Sequence, residues 1–421
     1  MPILGMRNDE QWITNQRPQN WRETILMLYP NSSELAKAPL TALTSMMKSE
    51  STDDPVFHWF EKHLQTRRLA LTADITNSAT SISVNANAGA SKDFDNAFSV
   101  KAGDMLLAEQ TGEIMRVSAD PSANNAITVT RAQAGTSGTA ITFASSNPYL
   151  TVIGSAYEEG SLAPSGINFD PVEVYNYTQI FRSALEITRT AEKTRLRTGD
   201  QVKEAKRECL EYFSIDMERA FWFNGGKTLV TINSKPARLT AGIIKQITDG
   251  APSNIVTAPA DGLIDMDWLE EKTQQLFKYG SSEKLCFGGN AVLAAFQSAV
   301  RKNSSYQITT GLKEYGMRVS RFVTPFGEIV FKTHPLFNQM AGGTANDGTT
   351  AFLGKANNAY FLDMANVRYR YVTDVQYQKD LTPVGLDGMK SGYIAECGLE
   401  LHHALTHGAW IGVKGGKADG A

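Results

Sequence analysis

Residues 199–226 have the clearest pattern of hydrophobic and polar positions in the chain. Apolar side chains recur there at steps of three or four residues, which places them on one stripe of an α-helix: Val202, Ala205, Cys209, Phe213, Met217, Ala220 and Phe221. Most charged side chains fall on the other side: Lys203, Lys206, Arg207, Glu208, Glu211 and Glu218. The pattern predicts a long amphipathic helix over 199–224, here called the spine helix, which Asn224-Gly225-Gly226 ends. A helix of this length usually backs a sheet or spans a flat domain.

Residues 69–155 differ from the rest in being rich in Ala, Ser, Thr, Asn and Gly. Apolar residues alternate there in short runs at 80–84, 105–108, 113–117 and 126–130. Thr111-Gly112 joins two runs as a hairpin, and Asp120-Pro121 and Asn124-Asn125 mark the next loop. We therefore expect a small all-β module inserted ahead of the spine helix. A disordered low-complexity linker is the alternative, which the period of two disfavours.

Other regions alternate between strand and helix patterns. The first 50 residues place isolated apolar side chains between prolines and predict an arm that lies on another surface, with a short helix at 35–47 and a docking segment at 57–64. Further on, the patterns predict a long strand at 171–182, helices at 266–279 and 291–300, a buried strand at 284–287 and a strand pair at 322–332. The last hundred residues are dominated by β patterns at 351–353, 359–364, 367–375 and 393–413.

The bulk composition is that of an ordinary soluble globular protein of 421 residues, which has room for two or three domains. Its 41 basic and 44 acidic side chains leave a net charge of −3, so high-affinity nucleic-acid binding is not expected. Cys209, Cys286 and Cys397 are far apart and odd in number, which favours buried reduced thiols. Neither a signal peptide nor a membrane span is predicted.

Motifs for catalysis or cofactor binding are missing from the sequence. We find no GxxxxGK[ST], GxGxxG, HExxH, CxxC or GxSxG, and therefore predict no catalytic residue, no cofactor and no metal site. His403 and His407 have the spacing of a helical metal chelate, but with His402 they lie in a strand pattern, where structural histidines are the better interpretation.

Three further groups have an ordinary structural interpretation. Asp261, Asp265 and Asp267 precede or begin a helix, where carboxylates complement its dipole. In VRYRYV (367–372), strand alternation places the two arginines on one face and the two tyrosines on the other. Cys209 lies on the apolar stripe of the spine helix, which favours a core residue over a nucleophile.

Several motifs resemble those of tailed-bacteriophage major head proteins. In the N-terminal region these are MPILGMR, Trp21-Arg22-Glu23 with ILMLYP, Ala38-Pro39-Leu40-Thr41, Asp53-Asp54-Pro55 and His58-Trp59. The passage VEVYNYTQIFRSALEITRTAEKTRLRTGD, which leads into the spine helix and on to FWFNGG, is similar to the same group. The similarity covers most of the chain and is weakest across the β module.

The resemblance implies an α+β Hong Kong 97-type capsid fold with the small all-β module inserted. It divides the chain into an N-terminal arm (1–55), an extended loop region with the β insertion (56–190), a peripheral domain with the spine helix (191–280), an axial domain (281–355) and a return to the peripheral domain (356–421). A cleaved scaffolding segment is not expected, because the chain begins with Met1. No cross-linking Lys-Asn pair is assigned.

The function that the resemblance implies is that of a major capsid protein, made in the bacterial cytoplasm and not an enzyme. It would self-assemble as hexamers and pentamers into the icosahedral head of a tailed phage. The portal, a cement or scaffolding protein and weakly held double-stranded DNA would be its other partners. The expected contacts between subunits are Trp12, Trp21, Leu28, Tyr29, Tyr175, Tyr177 and Phe181. A hydrolase with an accessory β domain and a phage tail or adhesion protein remain the alternatives.

Overall fold

A computed structural model of the chain describes residues 47–62, 66–86, 95–143, 148–194, 201–303, 309–314, 317–339, 343–344, 351–352 and 355–417. It divides into two compact units. Unit 1 contains the described residues up to His58 and those from Tyr175 onward, and unit 2 is Trp59–Val174. The predicted helix at 35–47 lies almost wholly outside the described residues.

The strands of the described residues are, in chain order, β1 (Lys48–Ser51), β2 (Val56–Glu61), β3 (Arg68–Ala70), β4 (Ser81–Ser83), β5 (Asp104–Ala108), β6 (Ile114–Ala123), β7 (Ala126–Gln133), β8 (Tyr149–Ser155), β9 (Val172–Tyr177), β10 (Gln179–Thr188), β11 (Thr228–Ile232), β12 (Lys235–Leu239), β13 (Ile255–Thr257), β14 (Leu263–Ile264), β15 (Glu283–Gly288), β16 (Thr309–Glu314), β17 (Met317–Thr324), β18 (Gly327–Thr333), β19 (Gly343–Thr344), β20 (Ala351–Phe352), β21 (Ala359–Leu362), β22 (Val367–Gln378), β23 (Gly388–Leu401), β24 (Gly408–Ile411) and β25 (Gly415–Gly416). The helices are α1 (Arg189–Lys193), α2 (Gln201–Phe223), α3 (Ile243–Gly250), α4 (Met266–Leu276), α5 (Asn290–Asn303) and α6 (Pro335–Gln339).

The spine helix α2 packs on a four-stranded sheet of unit 1. The strand order is β1-β22-β23-β10, with β1 parallel to β22 and the other pairs antiparallel. The apolar stripe predicted for the helix meets the inner face of this sheet, and Phe181 of β10 lies edge-on to Phe221 with ring centroids 6.0 Å apart. The prediction of a long helix that backs a sheet is confirmed.

Gly242 has a steric role where the chain passes the end of the spine helix. A Cβ at this position would lie 2.8 Å from Trp222 O and 2.9 Å from Asn224 N. Only glycine avoids that contact, because it has no Cβ. The N–H of Gly242 instead donates to Asn224 O at 3.2 Å, and α3 begins at the next residue.

A second, seven-stranded sheet has the order β13-β24-β21-β15-β18-β17-β16. Helices α4 and α5 contribute Leu269 and Phe296 to its core, and the Phe296 ring stacks on Trp410 at 5.5 Å. The predicted helices at 266–279 and 291–300, the buried strand at 284–287 and the strand pair at 322–332 are all present. The sheet takes strands from each of the ranges 191–280, 281–355 and 356–421, so the expected domain limits at 280 and 355 do not coincide with its borders.

Unit 2 contains the predicted all-β module. Its six strands follow the order β3-β8-β5-β6-β7-β4 and are antiparallel, around a core of alternating residues such as Leu106, Met115, Val117 and Ile127. Thr111-Gly112 lies in the β5–β6 turn and Asn124-Asn125 in the β6–β7 turn, as predicted. Asp120-Pro121 does not form a loop, because β6 continues through it to Ala123.

The structure differs from the sequence-based predictions at three places in its strands. The strand predicted at 171–182 is divided at Thr178, whose N–H donates to Pro55 O at 2.8 Å; β9 pairs with β2, and β10 pairs with β23. The β pattern at 393–413 is divided by a 3₁₀ turn at Ala404–Thr406. The hairpin β11–β12 was not predicted at all. Alternation reports the faces of a strand but not its neighbours, so it cannot locate such breaks.

Candidate assembly surfaces and buried polar clusters

An aromatic group at the start of unit 1 contains two of the predicted contact residues. Tyr175 is 37% exposed; its ring stacks on His58 at 5.6 Å and meets Tyr177 edge-on at 5.9 Å. The ammonium of Lys227 lies 3.3 Å from the Tyr175 ring centroid and donates to Tyr175 O at 3.1 Å. Desolvation lowers the pKa of Lys227, and the charge of Asp249 partly opposes that shift. The group is a half-exposed cation–π cluster.

The β11–β12 hairpin follows directly from this group. Asn233 and Ser234 form its two-residue turn with φ of 51° and 60°, the left-handed geometry of a tight hairpin. Val230 lies opposite Ala237, and Thr228 lies opposite Leu239, so these side chains share one face. A two-stranded ladder is only marginally stable in water unless it packs on something. The hairpin is therefore a surface suited to a partner.

Phe181 differs from the other expected contact residues. Its side chain is only 7% exposed and lies in the core between the four-stranded sheet and the spine helix. A ring already buried in its own subunit has little surface left for another, so Phe181 does not belong to the exposed set. The expected contacts Trp12, Trp21, Leu28 and Tyr29 lie outside the described residues.

A fully buried polar cluster lies where the spine helix meets the end of β18. Glu218 Oε1 accepts from Trp222 Nε1 at 2.8 Å and from His334 Nε2 at 2.7 Å. The His334 ring stacks on Phe337 at 4.1 Å, and its Nδ1 has no hydrogen-bond partner among the described residues. The sequence placed Glu218 on the polar side of the helix, and that interpretation is wrong. Trp222, four residues on, is the only signal in the sequence that pointed to burial.

A second buried cluster joins β15 to the loop after β23. Lys284 Nζ donates to Tyr279 O at 3.0 Å and to Thr406 O. His407 Nδ1 accepts from Asp363 N at 3.1 Å, while its Nε2 donates to His402 O at 3.2 Å. Burial lowers the pKa of Lys284 to about 8 against the opposing charge of Asp363. Burial, then the charge of Lys284, lowers the pKa of His407 to about 3.

Hydrogen bonds within the fold explain why His407 and Asp265 occur in the histidine and aspartate motifs. Both ring nitrogens of His407 have partners within the fold, and His403 sits in the left-handed region with φ 46° where β23 has ended. Asp265 caps α4, because its Oδ1 accepts from Trp268 N at 2.9 Å. Within the described residues no three His, Cys, Asp or Glu side chains are grouped as a metal site. These hydrogen bonds support the structural interpretation of His407 and Asp265.

The arginine–tyrosine strand also has the predicted faces. Tyr369 and Tyr371 stack at 5.7 Å on one face of β22, while Arg370 on the other pairs with Glu50 of β1 at 2.8 Å and with Glu400 of β23. Burial by itself raises the pKa of Glu400, but hydrogen bonds from His402 and Arg370 outweigh it and hold the pKa below its ordinary value. The network fixes β1 to the sheet.

Two bidentate ion pairs, one buried and one partly exposed, join strands and turns of the β module. Arg131 donates to Glu113 at 2.7 and 2.5 Å and also to the carbonyls of Thr76 and Thr139, each at 2.7 Å. A second bidentate pair, more exposed, joins Arg68 to Glu109 at 2.6 and 2.5 Å. The two pairs join distant turns of a sheet that is otherwise rich in small residues.

Comparisons with known proteins agree on one family. The model of the SU10 major capsid protein family matches residues 14–414. A major capsid protein of Pseudomonas phage PaMx41 is 30% identical over 321 residues, which are 75% of this chain and 72% of that protein.

Two solved structures resemble this chain at low TM-scores. A chain of Mycobacterium phage Patience has a TM-score of 0.41 at 11% identity, over 64% of this chain and 78% of that chain. The holo-SrpI encapsulin complex from Synechococcus elongatus PCC 7942 has 0.40 at 12%, over 58% and 76%.

Half-exposed aromatic and hairpin surfaces on an α+β framework are typical of a structural subunit. The match to a protein family identifies the kind of structural subunit. The chain belongs to the SU10 major capsid protein family, and it is a component of the icosahedral capsid of a phage virion. Its α+β capsid fold with an inserted all-β module is the one expected from the sequence. In the described residues, no helix is long and apolar enough to cross a membrane.

Proposed function

We propose that this chain assembles as hexamers and pentamers into the head of a tailed phage, and that its contribution is structural rather than catalytic. The exposed Tyr175 cluster and the apolar hairpin that follows it carry the proposal, because apolar ladders of this kind are stable when another surface covers them. Tyr175 and Tyr177 remain candidate subunit contacts, together with Trp12, Trp21, Leu28 and Tyr29 of the arm.

The division into capsid domains is part of the proposal. The four-stranded sheet with the spine helix would form the peripheral domain, and the seven-stranded sheet with α4 and α5 the axial domain. Unit 2 would be the extended loop with its β module. Residues 1–55 would be the arm, whose last strand, β1, is held on the edge of the peripheral sheet by the Glu50–Arg370 pair.

The proposed partners follow from the same function. Copies of this chain would form the shell, a portal would replace one vertex, and a cement or scaffolding protein would assist. A net charge of −3 suits a wall that encloses double-stranded DNA and holds it only by weak, non-specific contacts. A hydrolase is disfavoured because His407 and Asp363 are committed to structural hydrogen bonds.

Electron microscopy and sedimentation of the protein expressed alone test the proposal. We expect closed shells, tubes, or rings of five and six subunits. A variant with Trp21→Ala and Tyr29→Ala should assemble less, while Lys379→Ala, a change at an exposed residue that is not among the candidate contacts, should not. Small uniform particles both alone and on co-expression with the scaffolding and portal genes of the same phage would overturn the proposal.

A further inference from the structure

Asn176 points inward between the two tyrosines of the candidate contact surface. In β9, Tyr175 is 37% exposed and Tyr177 is half-buried, whereas Asn176 between them is only 1% exposed. Alternation explains this arrangement, because neighbouring side chains of a strand lie on opposite faces. A buried amide has to find its hydrogen-bond partners within the fold, and it can accept and donate at the same time. Asn176 therefore holds the inner side of the strand that presents the tyrosines.

The Asn176 side chain joins β9 to two other parts of unit 1. Its Oδ1 accepts from Ala241 N and from Tyr177 N, each at 2.8 Å. Its Nδ2 donates to Leu399 O of β23 at 2.9 Å and to Ala241 O at 3.4 Å. With Ala241 it exchanges hydrogen bonds in both directions, as one backbone amide does with another in a β ladder. One side chain thus connects β9 with β23 and with the segment between β12 and α3.

Gln179, at the start of β10, makes the adjoining connection. Its Oε1 accepts from Asn224 Nδ2 at 2.7 Å and from Thr240 N at 3.2 Å. Asn224 follows the spine helix directly, and Thr240 lies between β12 and Ala241. Side chains on both sides of the strand break at Thr178 therefore hold two consecutive residues of the same segment.

These hydrogen bonds connect the two candidate surfaces of unit 1. The first is the Tyr175 cluster, which consists of His58, Tyr175, Tyr177 and Lys227, and the second is the β11–β12 hairpin, which residues 240–241 follow. Among the described strands β9 pairs with β2 alone, and a two-stranded ladder is only marginally stable by itself. The placement of the tyrosines beside the hairpin therefore depends on side-chain hydrogen bonds and not on a continuous sheet.

We infer that Asn176 is a positioning residue for assembly: together with Gln179 it holds the Tyr175 cluster and the β11–β12 hairpin in one arrangement, so that they act as a single contact surface. The inference rests on the proposed function, because it deepens the assignment of Tyr175 and Tyr177 as subunit contacts. A surface whose parts are held in place before contact loses less conformational entropy on binding. Asn176 acts through its neighbours, since its own side chain is buried.

A comparison of Asn176→Leu with Asn254→Leu tests the role in assembly. Asn254 is also buried, and its Nδ2 donates to Leu405 O at 2.7 Å and to His407 O at 2.9 Å, in the turn after β23. Both variants lose buried amide hydrogen bonds, so both should lower the melting temperature of the unassembled subunit. Only Asn176→Leu should also raise the critical concentration for assembly, by at least about threefold, because the weakened contact recurs in every subunit.

Nitration of tyrosines by tetranitromethane, mapped by mass spectrometry on the unassembled subunit, reports on the Tyr175 cluster directly. At a temperature where the variant is folded, Asn176→Leu should raise the nitration rates of Tyr175 and Tyr177 at least about twofold, because the end of β9 opens more often. Tyr212, which is 65% exposed on the spine helix, is the internal reference. Asn254→Leu should keep the wild-type rates. A purely structural role for Asn176 would lower the melting temperature and leave the nitration rates unchanged.

Gln179→Met is a second variant that keeps the test decisive where Asn176→Leu does not fold. Gln179 is half-buried, and methionine has a similar length but no strong acceptor for Asn224 or Thr240. Its nitration rates and critical concentration should change in the same direction as those of Asn176→Leu, by smaller factors.

The two failures can be told apart. If the wild-type chain never assembles, the proposed function fails and the positioning inference fails with it. If wild-type shells form, and Asn176→Leu and Gln179→Met assemble as well as Asn254→Leu or keep the wild-type nitration rates, only the positioning inference is wrong.

Discussion

Glu218 and His334 form a buried pair, with Glu218 Oε1 2.7 Å from His334 Nε2 and both side chains fully removed from solvent. The same oxygen accepts from Trp222 Nε1, so one carboxylate joins the spine helix to the end of β18. Replacing Glu218 by Leu leaves both donors buried and unpaired. We expect that change to lower the free energy of unfolding of the unassembled subunit by about 3–5 kcal/mol, measured by urea denaturation.

The Glu218→Gln variant is the control for that prediction. Its amide oxygen can still accept from Trp222 while its amide group faces His334, so the loss should be at most about half of that for Glu218→Leu. Equal losses for the two variants would mean that side-chain packing, and not hydrogen bonding, explains why Glu218 is buried.

The His407 imidazole predicts a loss of stability in acid. Its folded pKa of about 3 lies below its unfolded pKa near 6.5, because burial, and next the charge of Lys284, oppose protonation, while Asp363 favours it. Between these values the unfolded chain binds the extra proton, so stability is full above about pH 6.5 and falls by up to roughly 1.4 kcal/mol per pH unit below it.

Melting temperatures of the subunit between pH 7 and pH 4 would measure this loss, with His407→Gln as the comparison. The variant lacks the imidazole, so its melting temperature should depend less on pH over this range. Parallel curves for the two proteins would assign the acid sensitivity to carboxylates elsewhere.

The buried Lys284 should make the stability of the subunit depend on pH in alkaline solution. Burial lowers its folded pKa to about 8 from the ordinary value of 10.5. Between those values the unfolded chain holds more protons than the folded one, so the contribution of Lys284 to stability rises as the pH increases from about 8 to 10.5. The wild type should therefore gain stability relative to Lys284→Met over this interval, measured as the difference in unfolding free energy at pH 8 and pH 10. A constant difference would contradict the prediction.

The spacing of apolar residues predicted the main elements of unit 1, because their apolar faces are regular. The spine helix, α4, α5 and the β17–β18 pair all have apolar side chains at the spacing of their final structure, and the β module shows through its period of two. The break at Thr178 was missed because the alternation continues through it while hydrogen-bonding partners change. Pairing between distant strands leaves no periodic signal.

The candidate surfaces were harder to predict from the sequence than the fold was. Tyr175 was named among the expected subunit contacts, but the adjacent Lys227 and the β11–β12 hairpin were not predicted. The segment TLVTINSKPARL is short, and its Asn-Ser turn is a weak signal. Glu218 was misplaced because a charged residue is normally solvated, and only tertiary packing against His334 reverses that preference.

The β module should depend on Arg131 more than on Arg68. Arg131 and Glu113 are nearly inaccessible and joined by two hydrogen bonds. Arg131→Met leaves the buried carboxylate with only the N–H groups of Ala132 and Thr139 and no opposite charge, and should cost about 3–5 kcal/mol. Arg68 and Glu109 are about a quarter exposed, so water can replace the lost contact, and Arg68→Met should cost about 1 kcal/mol. Hydrogen exchange of the β6 and β7 amides would measure both, and similar exchange rates would contradict the assignment.

Arg370 has one buried and one exposed carboxylate partner, and the buried one should contribute more to the stability of the subunit. Glu400 is almost fully buried in contact with Arg370 and His402, whereas Glu50 of β1 is more than half exposed. Arg370→Met therefore leaves a buried carboxylate with His402 as its remaining partner and should destabilise the subunit by about 2–4 kcal/mol. It should also raise the pKa of Glu400 toward its ordinary value, so that the acid-induced loss of stability that Glu400 contributes is smaller than in the wild type. Glu50→Ala should cost less than about 1 kcal/mol, because the pair it breaks is screened by water. Urea denaturation at pH 7 and at about pH 4 checks both changes. A loss for Glu50→Ala as large as that for Arg370→Met would show that the attachment of β1, and not the buried carboxylate, dominates the energy of the network.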